Sequence, residues 1–126
     1  MAGRAPGADD DGSGTFVLVE ALRVLLMDER IKAGEAENTI EFHWYAGEEG
    51  GGLLGSQAVF LEYRSEGREV KAMLQLDMAG YVDSDSEVEE RLGVVTDHVD
   101  PRLTRFVERV IAAVRPLHLL AAMTRD

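Results

Sequence analysis

The chain contains no cysteine, few basic residues and no long apolar run. Without cysteine it forms no disulfide and performs no thiol chemistry, which leaves the compartment open. Its 13 Lys and Arg residues against 24 Asp and Glu give a net charge of −11. It therefore lacks the basic surface with which proteins bind nucleic acid or an anionic membrane. No apolar stretch approaches the roughly 20 residues that span a bilayer, and residues 1–14 show no secretory signal.

The 126 residues, 45% of them hydrophobic, are enough for one modest domain. Periodicity and breaker residues predict alternating helices and strands. The predicted elements are a helix from Ser13, its cap, to about Asp28, a strand Thr39–Tyr45, a helix Leu53–Glu66 stopped by Gly67, strands Val70–Leu76 and Gly93–Thr96, and a helix from Asp100–Pro101 to Val114. The order predicts an α/β fold, a central sheet flanked by helices, with the first helix well buried. The first two strands are expected to be neighbours, joined by a right-handed helical crossover.

Carboxylates recur at the ends of these elements. Glu48 and Glu49 follow a predicted strand and precede a helix, Asp77 ends a strand, and Asp9 precedes a helix. Ligands in open α/β sheets bind beyond the carboxyl ends of the strands. Acids gathered there repel one another unless a cation neutralises them, which suggests a metal site. A solvated acidic turn is the alternative that spacing alone leaves open.

Four segments occur together and in order. They are APGADDDGSG (Ala5–Gly14), NTIEFHWYAGEEGGGLLGSQ (Asn38–Gln57), VKAMLQLDMAGY (Val70–Tyr81) and VVTDHVDPRLTRFVERVI (Val94–Ile111). Together they resemble the central part of the secreted microbial di-zinc aminopeptidases of the leucyl and aminopeptidase Y type. The resemblance implies a partial zinc-exopeptidase fold over residues 1–114, followed by a divergent tail, 115–126.

The resemblance also implies roles for the acids. Asp9 matches an aspartate that bridges two zinc ions, with a cis peptide bond expected between Asp9 and Asp10. Glu48 matches the general base, whereas Glu49 and Asp77 match ligands of one zinc each. The implied activity is zinc-dependent removal of N-terminal residues from a peptide substrate.

The chain also departs from the family pattern. The two expected histidine ligands fall outside the matching segments, one upstream and one downstream. His43 lies in a predicted strand, which favours a core or hydrogen-bonded role, and neither exposed His98 nor His118 in the tail is an adequate substitute. Gly50–Gly52 are three glycines where relatives carry two. The alternative is therefore a catalytically inactive truncated relative that acts by interaction only. Because flanking strands are missing from the predicted sheet, exposed apolar surface and self-association through sheet edges are expected in either case.

Overall fold

A computed structural model describes residues 6–80, 92–114 and 120–123, the last four by their backbone only. Its helices and strands are α1 (Gly12–Leu25), α2 (Glu29–Lys32), α3 (Leu54–Ser65), β1 (Gly93–Val95), α4 (Pro101–Val114) and β2 (Leu120–Met123). They fall into two units, Met1–Met78 with α1–α3 and Ala79–Asp126 with the rest. None of the described helices has the length and apolar character needed to cross a membrane.

Helix α1 begins one turn after the Pro-Gly-Ala sequence because Asp11 caps it. The Asp11 carboxylate accepts a hydrogen bond of 2.9 Å from the backbone N–H of Gly14. The prediction of Ser13 as the cap is wrong. Ser13 lies inside the helix, and its hydroxyl donates to the carbonyl of Asp9 at 2.8 Å.

The end of α1 comes at Leu25, three residues before the predicted end at Asp28. Asp28 instead begins the short helix α2, accepting hydrogen bonds from the backbone N–H groups of Arg30 at 2.9 Å and Ile31 at 3.3 Å. An aspartate in this role has an extended backbone, which is incompatible with the interior of a continuing helix. The predicted polar connector therefore contains a helical turn.

Helix α3 ends as predicted. It covers Leu54–Ser65 against the predicted Leu53–Glu66, and Gly67 follows it with φ +68°. The N–H of Arg68 then donates to the carbonyl of Tyr63 at 2.9 Å, which satisfies one of the free carbonyls at the helix end. The glycine stop is confirmed.

The start of α4 is also confirmed. Asp100 accepts hydrogen bonds from the N–H groups of Arg102 at 2.8 Å and Leu103 at 2.9 Å, and Pro101 is the first helical residue. The helix connects β1 with β2, which pair in parallel with a register irregularity between Val94 and Val95. The strand β2 falls in the tail, where the sequence shows no clear periodicity.

The two longer predicted strands do not form. Within the described residues, segments 39–45 and 70–76 belong to no ladder, and the two-stranded sheet β1–β2 is the sheet that these residues contain. The prediction that the two segments pair with each other is wrong, because a strand is defined by hydrogen bonds to a partner and neither supplies them to the other. The central sheet flanked by helices stays a prediction.

Apolar side chains are exposed throughout. No hydrophobic side chain among the described residues is buried, and Phe16 and Leu61 are 73% and 64% exposed. The prediction of a well-buried α1 is wrong because the helices of residues 6–78 do not pack closely against one another. The expected exposed apolar surface is confirmed, whereas self-association stays a prediction.

Candidate active site

The three consecutive aspartates before α1 have different surroundings. Asp9 offers its backbone carbonyl to Ser13, and Asp11 offers its side chain to the N-terminus of the helix. The turn is closed by a hydrogen bond of 2.9 Å from the N–H of Gly12 to the carbonyl of Gly7. A cis peptide bond joins Asp10 to Asp11, one residue later than the predicted Asp9–Asp10 bond, so that prediction is wrong in its position.

The turn that carries Glu48 and Glu49 is closed by its own backbone. The carbonyl of Glu48 accepts a hydrogen bond of 3.2 Å from the N–H of Gly52. The carbonyl of Ala46 accepts one of 2.9 Å from the N–H of Gly55, at the start of α3. A Cβ on Gly55 would lie 2.6 Å from the Ala46 oxygen, so only glycine allows this approach. The two glutamates therefore sit on a short loop anchored to the first turn of α3.

The electrostatics of Glu49 show which acids lie near it. The charge of Asp10 raises the pKa of Glu49 most strongly, followed by the charge of Glu48. A side-chain hydrogen bond with Asp10, desolvation and the charge of Asp77 add to the rise. Neighbouring carboxylates disfavour each other's charged form, and this shift is the result of that repulsion. Folding thus brings together acids from three separate segments of the chain.

Glu48 and Asp77, two of the four predicted site residues, raise the pKa of another of them, Glu49. The acid that acts on Glu49 from the turn before α1 is Asp10, whereas the sequence predicted Asp9. Three identical residues in a row leave the register ambiguous. The signal that could have resolved it is the preference for Asp as a helix cap, since a cap at Asp11 leaves Asp10 as the preceding residue.

The donor set fits a divalent cation in chemistry. Carboxylate oxygens are hard ligands, and a cation among them would remove the repulsion that raises the pKa of Glu49. Among the described residues, no group of three or more His, Cys, Asp or Glu side chains is already arranged to hold a metal ion. The acids are therefore gathered but not in a finished coordination shell.

A second polar cluster, formed by Glu41, His43, Tyr45, Tyr63 and Arg68, was not predicted as a unit. The Glu41 carboxylate accepts hydrogen bonds from the Tyr63 hydroxyl and from Arg68 Nη2, the latter at 2.5 Å, and lies 3.1 Å from His43 Nε2. The Arg68 guanidinium lies 4.1 Å from the centroid of the Tyr63 ring, and His43 stacks on Tyr45 at 5.3 Å. The sequence signal was the alternation of residues 41, 43 and 45, which puts them on one side of an extended segment.

This cluster accounts for His43. Its hydrogen-bonded role is confirmed, since Nε2 contacts both Glu41 and Tyr63, the latter at 3.4 Å. The hydrogen bond from Tyr63, then that from Arg68, lowers the pKa of Glu41. His98 is exposed, as predicted, with φ +53°, and His118 lies outside the described residues.

Comparison with known proteins identifies similar chains. The family model described as Peptidase family M28 matches residues 1–119. Leucine aminopeptidase 1 of Pyrenophora tritici-repentis is 63% identical over 109 residues, which cover 85% of this chain and 28% of that protein. Proteins of the same name from Sclerotinia sclerotiorum and Coccidioides posadasii are 61% and 60% identical over the same shares. The chain thus spans about 28% of the length of these curated relatives, and no solved structure matches it.

Proposed function

Because the chain belongs to peptidase family M28, we propose that it supplies the carboxylate part of a two-zinc aminopeptidase centre that releases N-terminal residues from peptides. The observation that carries the proposal is the action of Asp10, Glu48 and Asp77 on Glu49. The family resemblance assigns metal-ligand roles to Glu49 and Asp77, and the influence of Asp77 on the pKa of Glu49 supports the proposal. The name of the fungal relatives, leucine aminopeptidase 1, supports the same class of reaction.

Each acid has a distinct part in this proposal. Glu49 and Asp77 would each hold one zinc ion. The sequence resemblance assigns the aspartate that would serve both ions to Asp9, whereas the influence of Asp10 on the pKa of Glu49 supports Asp10 for that role. A zinc pair, when bound, supplies a water of lowered pKa and polarises the peptide carbonyl.

Glu48 is the proton-transfer residue. Its carboxylate takes a proton from the attacking water and then gives it to the nitrogen of the departing amine, so the base ends the cycle unprotonated. Glu48 and Glu49 are adjacent on a loop, and adjacent side chains point in different directions. One can therefore move a proton while the other holds a metal.

The alternative function is interaction without catalysis. The observation that favours it is the exposure of the apolar side chains, with no buried hydrophobic side chain in the described part of the chain. Exposed apolar surface, where it is contiguous, is typical of a surface that binds protein. The two functions differ in what Glu48 does, because interaction needs no proton transfer.

The test is hydrolysis of a leucine arylamide by the purified chain with added Zn²⁺. Because the two histidine ligands fall outside the matching segments, we expect negligible turnover by the chain alone. Turnover that is lost in Glu48→Gln, which keeps the shape of the side chain but cannot accept the proton, would show that the chain is itself an enzyme. The matched control is Glu69→Gln, since Glu69 pairs only with Lys71, at 2.6 Å, among the contacts described for it. Equal and negligible rates in all three proteins would leave the interaction function standing, and equal measurable rates would remove Glu48 as the base.

A further inference from the structure

The segment that leads into the Glu48–Glu49 turn is attached to α3 at two places. Near the turn, the carbonyls of Ala46 and Gly47 accept hydrogen bonds from the N–H groups of Gly55 at 2.9 Å and Leu54 at 3.1 Å. At the far end of α3, Glu41 accepts hydrogen bonds from Tyr63, in the last turn of the helix, and from Arg68, which follows the helix. The two attachments enclose the extended segment and the helix in one closed loop of chain.

The lengths of the two arms agree with this closure. Five extended residues from Glu41 to Ala46 span about 16 Å. Eight helical residues from Gly55 to Tyr63 span about 12 Å, and the long Tyr63 side chain covers the remainder. The extended segment therefore runs alongside the helix, with one attachment near each end.

We propose that Glu41 is a positioning residue for the Glu48–Glu49 turn. By holding Tyr63 and Arg68, it fixes the extended segment on α3 and so fixes the direction in which the turn leaves it. Displacement of Glu41 removes its hydrogen bonds to Tyr63 and Arg68 from the far attachment and leaves there the contact between His43 and Tyr63, while the turn keeps its backbone hydrogen bonds.

The chemistry of the cluster suits an attachment between the extended segment and α3. A carboxylate that accepts hydrogen bonds from a guanidinium and a hydroxyl makes stronger contacts than a neutral pair would. Arg68 is oriented by the Tyr63 ring beneath it, at 4.1 Å, which restricts its planar fork.

The test measures amide hydrogen exchange at Gly52, Leu54 and Gly55, whose N–H groups close the turn. In Glu41→Gln we expect exchange at these amides to be about three- to tenfold faster than in the unaltered chain. The control is Glu20→Gln, which breaks a comparable carboxylate–guanidinium pair, Glu20 with Arg23 at 2.6 Å, on α1. That control should leave the three amides unchanged.

Two further measurements test the role of Glu41. Tyr63→Phe removes the hydroxyl donor and keeps the ring under Arg68, so it should accelerate the same amides by a smaller factor. Calorimetric titration with Zn²⁺ should show weaker binding in Glu41→Gln and unchanged binding in Glu20→Gln. Only the zinc titration rests on the proposed function. If the unaltered chain binds no zinc, the proposed function fails, but amide hydrogen exchange still tests the role of Glu41.

Two outcomes would contradict a positioning role for Glu41. Unchanged exchange at the three amides in both Glu41→Gln and Tyr63→Phe would show that the turn is held by its backbone alone. Acceleration that extends equally to the α1 amides would show a general loss of structure rather than loss of a local attachment. Either outcome would remove Glu41 as a positioning residue.

Discussion

Glu49 and Asp10 lie on separate segments, and yet the charge of Asp10 is the largest influence on the pKa of Glu49. The relationship arises from two local structures. The cap at Asp11 fixes the start of α1 and hence the residue before it, and the closed turn fixes Glu49 next to the start of α3. Neither turn depends on a long-range strand ladder, so both can form although the predicted central sheet is not formed in the described residues.

The raised pKa of Glu49 predicts a pH dependence of stability. Between the ordinary value of 4.5 and the raised value, the folded chain binds a proton that the unfolded chain has already lost. The contribution of Glu49 to the free energy of unfolding therefore falls as the pH rises through this window. Asp10→Asn removes the largest cause and should move the pKa of Glu49 back towards 4.5. An NMR titration of the Glu49 side-chain carboxyl carbon measures it, and an equal effect of Asp9→Asn would contradict the assignment.

Glu41 predicts a dependence of the opposite sign. Hydrogen bonds from Tyr63 and then Arg68 lower its pKa below 4.5, so the folded chain loses this proton more easily than the unfolded chain. The stabilisation is present above 4.5 and is lost as the pH falls through the lowered value. Tyr63→Phe should raise the pKa of Glu41 and reduce this loss on acidification, as followed by thermal unfolding at several pH values. A Glu41 pKa that does not change in Tyr63→Phe would contradict the hydrogen bond as its main cause.

Gly55 predicts an unusual response to alanine. In most helical positions Gly→Ala stabilises, but a Cβ at Gly55 would meet the Ala46 oxygen at 2.6 Å. Gly55→Ala should therefore lower the free energy of unfolding by about 1–3 kcal/mol, the usual cost of overpacking. Gly50→Ala is the matched control, because nothing lies within 4 Å of its added Cβ. Chemical denaturation compares the two, and equal stabilities would show that the turn does not approach α3 so closely.

The cap of α1 is Asp11 in the structure and Ser13 in the sequence prediction, and substitution of each residue distinguishes the two. Asp11→Ala should lower the free energy of unfolding of the unit that contains α1 by about 1 kcal/mol, the typical cost of losing a cap. Ser13→Ala, at the position that the sequence predicted, should cost less because Ser13 lies within the helix. Circular dichroism during thermal unfolding measures both. A larger loss for Ser13→Ala would restore the sequence prediction.

Local signals in the sequence were sufficient where local chemistry decides the structure. The Asp100–Pro101 start and the Gly67 stop were predicted because a cap, a fixed φ or a positive φ acts within a few residues. Strand pairing was not predicted correctly. The apolar pattern of residues 39–45 indicates that one face can be buried, but it does not indicate which segment of the chain pairs with it. For the site, the acids of the Glu48–Glu49 turn and Asp77 were found from their placement at element ends, whereas the choice between Asp9 and Asp10 needed the helix register.

That choice leads to the last prediction, which concerns the metal. If Asp10 is the bridging aspartate, Asp10→Asn should weaken Zn²⁺ binding by at least about tenfold, because it removes a ligand to both ions. Asp9→Asn should have a smaller effect, since the charge of Asp10 is the largest influence on the pKa of Glu49. Calorimetric titration of both variants beside Glu48→Gln separates ligand from base: loss of a base leaves the affinity nearly unchanged. A larger loss in Asp9→Asn than in Asp10→Asn would return the bridging role to Asp9, and it would mean that metal binding rearranges the turn before α1.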